Sequence, residues 1–298
     1  MKKITEKVKT GKVLVSDGAW GTFLHAKGLG PSECPEKWNI DRPLDVMDIA
    51  TSYLNVGADM VETNSFGANS FKLSHYNLSN LASELNEAAA AISRKAAGDN
   101  KIVLGSVGPT GKILMMGEVA PEEIYDAFKE QVIALEKGGA DAIIIETMSD
   151  LDEAKLAIKA AKENTSCEII CTMTFERTID GEYRTMMGVS PTEMVQELIP
   201  EGIDIIGANC GNGIEGMVEI VKEIRSINHK IPILVHANAG LPVYQDGKTY
   251  FPESPEQTAS YVKEIINAGV NIIGGCCGTT PEHIRQIAMI VSEVNKGS

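Results

Sequence analysis

Two adjacent cysteines, Cys276 and Cys277, follow the apolar run Ile272-Ile273 and are hemmed by Gly274, Gly275 and Gly278. Successive side chains of a regular strand point to opposite faces, so neighbouring thiols do not converge from one. The glycines tolerate the bulged or left-handed backbone that would turn both sulfurs the same way. Thr279-Thr280-Pro281 then opens a helix with proline just inside its start. Convergent thiols at a strand end point to a soft metal, zinc first, and two ligands are too few for it. Three other readings compete. One is a vicinal disulfide, which needs strained geometry and an oxidising compartment. The others are a glycine-rich phosphate cradle before a helix and inert core cysteines.

The elements that must position these thiols are legible as alternation. Apolar, β-branched runs predict strands near Val13–Ser16, Met60–Thr63, Ile102–Ser106, Ala142–Ile145, Glu168–Met173, Ile205–Ala208, Ile231–Val235 and Asn271–Gly274. Amphipathic patterns between them predict helices such as Leu81–Ala97, Pro121–Lys137, Asp152–Lys162, Pro191–Leu198, Gly216–Ile227 and Glu256–Ala268. Alternation gives a parallel sheet, and strands this apolar are buried on both faces. Eight units in 298 residues fit an α/β fold of the (β/α)8 TIM-barrel type. No stretch reads as an interdomain linker, so residues 1–298 are expected to form a single barrel domain.

An internal echo locates a third ligand. GADMVETN from Gly57, GADAIIIE from Gly139, GIDIIGANC from Gly202 and GVNIIGGCC from Gly269 each join a helix-ending glycine to a strand. Seven residues on stand Asn64, Glu146, Asn209 and Cys276; eight on, in the last three, stand Thr147, Cys210 and Cys277. In a barrel these positions share the C-terminal face, where active sites sit. Cys210 is therefore the third thiol. Cys167 precedes its strand, Cys171 lies inside one, and Cys34 sits in a polar loop; these three read as structural or incidental.

The net charge of −14 argues against nucleic acid or an anionic membrane as partner. No apolar run approaches a membrane span, and the charged N-terminus lacks a signal-peptide core. A cytoplasmic location is expected, in which six cysteines stay reduced.

Zinc on Cys210, Cys276 and Cys277 keeps its fourth position open, as catalytic sites do. Three thiolates leave the centre electron-rich, poor at activating water but suited to a substrate thiol that must stay nucleophilic. That chemistry is alkyl transfer to sulfur. The zinc-deaminase signature is absent from the sequence.

The chain resembles the homocysteine S-methyltransferase family, the zinc thiol-methyltransferase barrels. The resemblance rests on Asp17-Gly18-Ala19-Trp20-Gly21-Thr22, Glu62-Thr63-Asn64-Ser65-Phe66-Gly67-Ala68, the segment Gly105 to Gly111, Glu146-Thr147, Gly207-Ala208-Asn209-Cys210, Asn238-Ala239-Gly240 and Gly274 to Pro281. These run in the family's order over essentially the whole chain. The first two look closest to the homocysteine module of cobalamin-dependent methionine synthase.

The resemblance implies Cys210, Cys276 and Cys277 as zinc ligands, Asp17 and Glu146 around the ammonium of an amino-acid substrate, and Asn238 beside the metal. Asn64, at the shared offset, is taken with them as a substrate-side residue. The plain alternatives are a turn for Asp17-Gly18 and loop-capping amides for Asn64 and Asn238. Two features depart from the pattern: Val235-His236-Ala237-Asn238 lacks the usual proline, and the loop Thr174–Val189 is long and carries Arg177 and Arg184. His236 reads as a satisfied strand-end histidine. Both departures fall near the mouth, so they put homocysteine itself in question more than thiol methylation.

The chain holds one barrel, so the methyl donor is expected from outside. Aromatics are only 5%, though Trp20 and Tyr53 could line a site for a small onium donor. A separate corrinoid protein carrying methylcobalamin is favoured over that. The alternatives are a corrinoid-pathway enzyme with another donor, one running as a demethylase, and a non-catalytic subunit that binds zinc or a corrinoid protein.

Overall fold

A computed structural model describes residues 3–245 and 247–297 of the chain. Eight parallel strands follow one another around a barrel: β1 (Leu14–Val15), β2 (Met60–Glu62), β3 (Ile102–Val107), β4 (Ala142–Met148), β5 (Glu168–Met173), β6 (Ile205–Gly213), β7 (Ile233–Asn238) and β8 (Ile272–Gly275). Every expected strand is present. The largest shifts in boundary are at β4, β6 and β7, of which β4 and β6 run on past irregularities in their pairing. Ladders join chain neighbours from β2 to β8, and β8 pairs with β1. The seam between β1 and β2 has no ladder and is stitched at its lower end by Asp59. There Asp59 N–H donates to Val15 O at 2.7 Å, and Val15 N–H donates to Asp59 Oδ2 at 3.0 Å.

The four echoing segments have a common physical basis. Gly57, Gly139, Gly202 and Gly269 all take left-handed φ values, between 83° and 115°, which suit glycine where a helix turns into a strand. Two residues later, Asp59, Asp141, Asp204 and Asn271 each accept a backbone N–H from an adjacent strand, at 2.9–3.1 Å. The repeat thus fixes strand starts as well as strand ends.

The helices form as their caps dictate. Pro191 and Pro255 open helices Pro191–Leu198 and Pro255–Asn267, behind Ser190 and Ser254 whose side chains complete capping boxes with Glu193 and Gln257. Several helices lay outside the sequence expectation, among them Lys3–Lys9 and Pro43–Asn55. The first plugs the barrel's lower end. Its opening N–H groups, of Ile4 and Thr5, donate to the Glu168 carboxylate at 2.7 and 2.9 Å. Ile4 and Val8 then join Leu14, Met60, Ile102, Leu104, Ala142, Ile144, Ile170, Ile205, Leu234 and Ile272 inside the barrel. Each large aliphatic side chain buried there stabilises the fold by roughly 1.5–3 kcal/mol. The lower half of the interior is therefore mostly apolar core, with Glu168 engaged by the plugging helix.

The long loop after β5 folds into a hairpin, Glu176–Arg177 against Tyr183–Arg184. A second hairpin, Val243–Gln245 against Lys248–Tyr250, follows β7.

Candidate functional site

The three sulfurs predicted as ligands meet at the C-terminal mouth. Cys210, Cys276 and Cys277 offer sulfurs that all lie within 4.8 Å of one another, and Cys210 Sγ is 3.9 Å from Cys277 Sγ. All six cysteines are free thiols, so the vicinal disulfide is not formed.

Cys210 reaches this point through its backbone. It adopts φ +59°, with Gly211 at +68°, where the β6–β7 register shifts between Asn209 and Gly213. A bulge of this kind re-aims a side chain that the regular pleat would carry elsewhere. For Cys276 and Cys277 the glycines act differently from expectation. Only Gly278 takes a left-handed φ, +81°. Gly274 and Gly275 are β8 residues needed for space: a Cβ at Gly274 would stand 2.7 Å from Asp17 O, and one at Gly275 would stand 2.3 Å from Thr279 Oγ1. The turn is pinned by Cys276 N–H to Ala237 O at 2.6 Å, Ala239 N–H to Cys277 O at 3.0 Å and Thr279 Oγ1 to Cys276 O at 2.7 Å.

The donor set fits a tetrahedral soft metal. Metal–sulfur bonds of ~2.3 Å place tetrahedral ligands ~3.8 Å apart, close to the 3.9 Å seen between Cys210 and Cys277. Hydrogen bonds from Cys276 and Cys277 hold the Cys210 thiol well below the ordinary thiol range, while the same contact with Cys210 pushes Cys276 and Cys277 up. A divalent cation relieves that competition for negative charge. Asn238, at the end of β7, adds a smaller influence in the same direction, holding the Cys210 thiol down. Its buried Oδ1 has no hydrogen-bond partner among the described residues.

The other cysteines stand apart from the cluster. Cys34 donates to Glu36 at 3.2 Å, Cys167 sits beside Glu136 and Ala140 O, and Cys171 is fully buried in the core. Burial is the main cause pushing each of them to about 12, so none is a ready thiolate.

The thiols open on a cavity of about 280 Å³ whose walls include Trp20, Glu62, Glu146 and His236. Glu146 accepts from Ser106 Oγ, and at 3.3 Å from Asn209 Nδ2. Asn209 is the knot of this wall. Its Oδ1 takes Thr147 N–H at 2.8 Å and Thr172 Oγ1 at 2.7 Å, and its Nδ2 also donates to Thr147 Oγ1. Thr147 too is left-handed, at φ +62°, beside an irregularity in β4. Asp17 lies behind the wall, where its Oδ2 takes Trp20 Nε1 at 2.9 Å and Glu62 N–H at 2.8 Å. Asn64 borders the cavity while its amide donates to Pro35 O and Asn39 Oδ1.

Two residues beyond the assigned set complete the floor. Glu62 and His236 are buried, and His236 Nδ1 lies 3.3 Å from Glu62 Oε1. His236 is not the satisfied strand-end histidine read from the sequence, since its buried Nε2 lacks a hydrogen-bond partner among the described residues. Burial is the main force raising Asp17, Glu62 and Glu146 and lowering His236. The signal for Glu62 was present in the Glu62-Thr63-Asn64 run, two residues short of the offset being counted.

Three expectations about the mouth are corrected. Arg177 and Arg184 line a separate depression of about 1180 Å³ that shares no wall residue with the thiol cavity. Arg184 is also engaged there by Glu182 and Glu193. Tyr53 is fully buried, with its hydroxyl donated to Ala19 O at 2.7 Å, so it forms no wall of the cavity.

A parallel barrel that gathers three thiols at its C-terminal mouth above a floor of carboxylates has the donor set of a candidate soft-metal site. The profile of the homocysteine S-methyltransferase family matches residues 14–291. The chain belongs to that family. It is 33% identical to methionine synthase of Mycobacterium leprae over 301 residues, covering 96% of this chain and 25% of that protein. Identity to methionine synthase of Mycobacterium tuberculosis is likewise 33%, with 97% and 25% covered. The chain thus spans about a quarter of the length of these curated relatives. In fold it is similar to the metallated form of the homocysteine methyltransferase MmuM from Escherichia coli, with TM-score 0.79, 21% identity, and 96% and 98% of the two chains covered. A more distant likeness, with TM-score 0.54 and 18% identity, is to the carboxyl transferase domain of Rhizobium etli pyruvate carboxylase. No described helix is long and apolar enough to cross a membrane.

Proposed function

We propose that this barrel, residues 1–298 acting as one unit, is a zinc-dependent S-methyltransferase. The acceptor is homocysteine or a close thiol, and the donor is a methylcorrinoid carried on a separate protein. The observation that carries the reading is the convergence of Cys210, Cys276 and Cys277 within 4.8 Å, at the wall of a small cavity. The methionine synthases and the methyltransferase named above support homocysteine as acceptor. Six free thiols suit the cytoplasm.

Zinc bound by the three thiolates supplies the charge that keeps an acceptor thiol ionised near neutral pH. The chain's own residues do the rest. The bulge at Cys210 and the turn at Gly278 fix the ligand positions, and Asn238 helps hold the Cys210 thiol down. Glu146, held by Ser106 and Asn209, places negative charge on the wall for the substrate ammonium. In the transfer, the acceptor sulfur forms a bond to the methyl carbon as the donor–carbon bond breaks. The electron pair stays with the donor, and the thiol proton has already left to solvent.

A cavity of about 280 Å³ suits one small acceptor, which leaves a bulky donor to approach from the mouth. The loops after β3, β5 and β7 expose Met115, Met116, Met186 and Tyr244 at 68–80%, apolar surface that suits a docking protein. The test is metal analysis followed by methyl transfer from free methylcobalamin to a panel of thiols. One zinc per chain and a thioether product are expected. A protein that takes up no zinc, or methylates no thiol, refutes the proposal.

A further inference from the structure

Asn209 stands immediately before Cys210 in the chain and is fully buried. Its side chain uses every hydrogen-bonding capacity an amide has. Oδ1 accepts from Thr147 N–H at 2.8 Å and from Thr172 Oγ1 at 2.7 Å. Nδ2 donates to Thr147 Oγ1 at 2.7 Å and to Glu146 Oε2 at 3.3 Å. A backbone N–H can only donate, so Thr147 fixes which way the amide faces. The main chain around it is held as well. Asn209 O accepts from Thr174 Oγ1 at 2.9 Å, and three residues on, Asn212 Nδ2 donates to Phe175 O at 2.6 Å. Between these two anchors the β6–β7 register breaks, and Cys210 and Gly211 take their left-handed φ values. A side chain at Gly211 would collide with Phe175 O. The bulge is thus clasped at both legs by the segment that leaves β5. Among the described residues other than glycine, positive φ occurs at Asn77, Thr147 and Cys210. The last two meet at Asn209, one gripped by its side chain and the other joined to it by a peptide bond.

We infer that Asn209 is a positioning residue for the metal: it holds the strand end from which Cys210 turns its sulfur toward Cys276 and Cys277, and it ties that ligand to the cavity wall through Thr147. This rests on the three-thiol metal reading above. A left-handed residue other than glycine persists only where its surroundings over-determine it. Here the surroundings are one amide and the two anchors on the β5 side. Without the amide, Thr147 N–H and a Glu146 oxygen lose a partner in a place closed to solvent, which is costly. The strand end then relaxes toward the regular pleat. That pleat sends successive side chains to opposite faces, so the Cys210 sulfur leaves the other two. Aspartate cannot stand in, since it brings no donor for Thr147 Oγ1 or Glu146.

The test measures zinc affinity by competition with a chelator, and the absorption of the cobalt(II)-loaded protein, whose sulfur-to-metal bands grow with the number of bound thiolates. Four proteins are compared: wild type, Asn209→Ala, Thr172→Val and Asn86→Ala. Asn86 is the control, another fully buried amide, whose Nδ2 donates to Ala68 O and Ala82 O, far from the bulge. Asn209→Ala is expected to bind zinc ~10- to 100-fold more weakly, and its cobalt bands should lose the share of one sulfur in three. Thr172→Val removes one donor to Oδ1 from within β5. It should change both readouts in the same direction by less, and it carries the comparison if Asn209→Ala is insoluble. Asn86→Ala should keep the wild-type affinity and spectrum even where its Tm falls. Wild-type affinity and bands in Asn209→Ala, or equal losses in Asn86→Ala, overturn this inference alone. Wild-type protein whose cobalt bands lack three sulfurs sinks the ligand reading and this inference together.

Discussion

Cys210 holds a left-handed backbone, at φ +59°, which a non-glycine residue adopts at a cost of about 1–2 kcal/mol. Replacing it by glycine removes that cost but adds ~0.4–1 kcal/mol of unfolded-chain freedom. The net expectation is that Cys210→Gly is more stable than Cys210→Ala by roughly 0.5–1 kcal/mol. Cys171 is the internal control, being fully buried within β5 and absent from the positive-φ residues. There the sign reverses, with glycine less stable than alanine by about 0.5–1 kcal/mol. All four variants should be chelated before urea unfolding, so that lost metal binding does not enter the comparison, and judged by midpoints at equal slope. Opposite signs at the two positions are the expected result. The same sign at both would mean that Cys210 is not held in the left-handed region, and that the bulge does not aim its sulfur.

Two further outcomes follow from the site. Alanine at Cys210, Cys276 or Cys277 should abolish metal retention, whereas serine at Cys34 or Cys167 should keep a full equivalent by atomic absorption; because the barrel has its own core, chelated wild type should keep its far-ultraviolet circular dichroism, and wholesale unfolding on chelation would contradict this. Burial, and then the nearby Asp17, raises Glu62 well above the ordinary carboxyl range, so the native chain keeps a proton that the unfolded chain loses near pH 4.5; the stability this contributes is complete below that pH and declines as pH rises toward the native value, so Glu62→Gln should flatten the decline, and unchanged slopes in the two proteins would refute it.

Much of this molecule could be read from its residues because strand, helix and mouth positions each leave a periodic mark. The β-branched runs located all eight strands, and the offset from the glycines Gly57, Gly139, Gly202 and Gly269 found Cys210 without any knowledge of its backbone. What stayed hidden depended on contacts between distant segments. The helix Lys3–Lys9 is too short and charged to announce itself, and only its insertion above Glu168 gives it a role. His236 and Glu62 lie 174 positions apart in sequence, and only barrel closure sets them 3.3 Å from each other. Gly274 and Gly275 illustrate a subtler gap: sequence marks a glycine but does not say whether its conformation or its missing side chain is needed.

The seam between β1 and β2 bears on how freely this site can change. Elsewhere in the ring, neighbouring strands are joined by ladders; here the lower stitch is Asp59 to Val15, and the upper one is Asp17 accepting Glu62 N–H. The fastener of the ring and the frame of the substrate floor are therefore the same side chain. Redesign of acceptor preference at Asp17 works against circumferential closure, since any residue placed there must still lace the two strand ends. At the ends of β4 and β7 ladders already hold the ring, so Glu146 and Asn238 can be exchanged without loosening it. Laboratory evolution toward new thiols should accordingly collect its changes around β4 and β7 and leave Asp17 untouched.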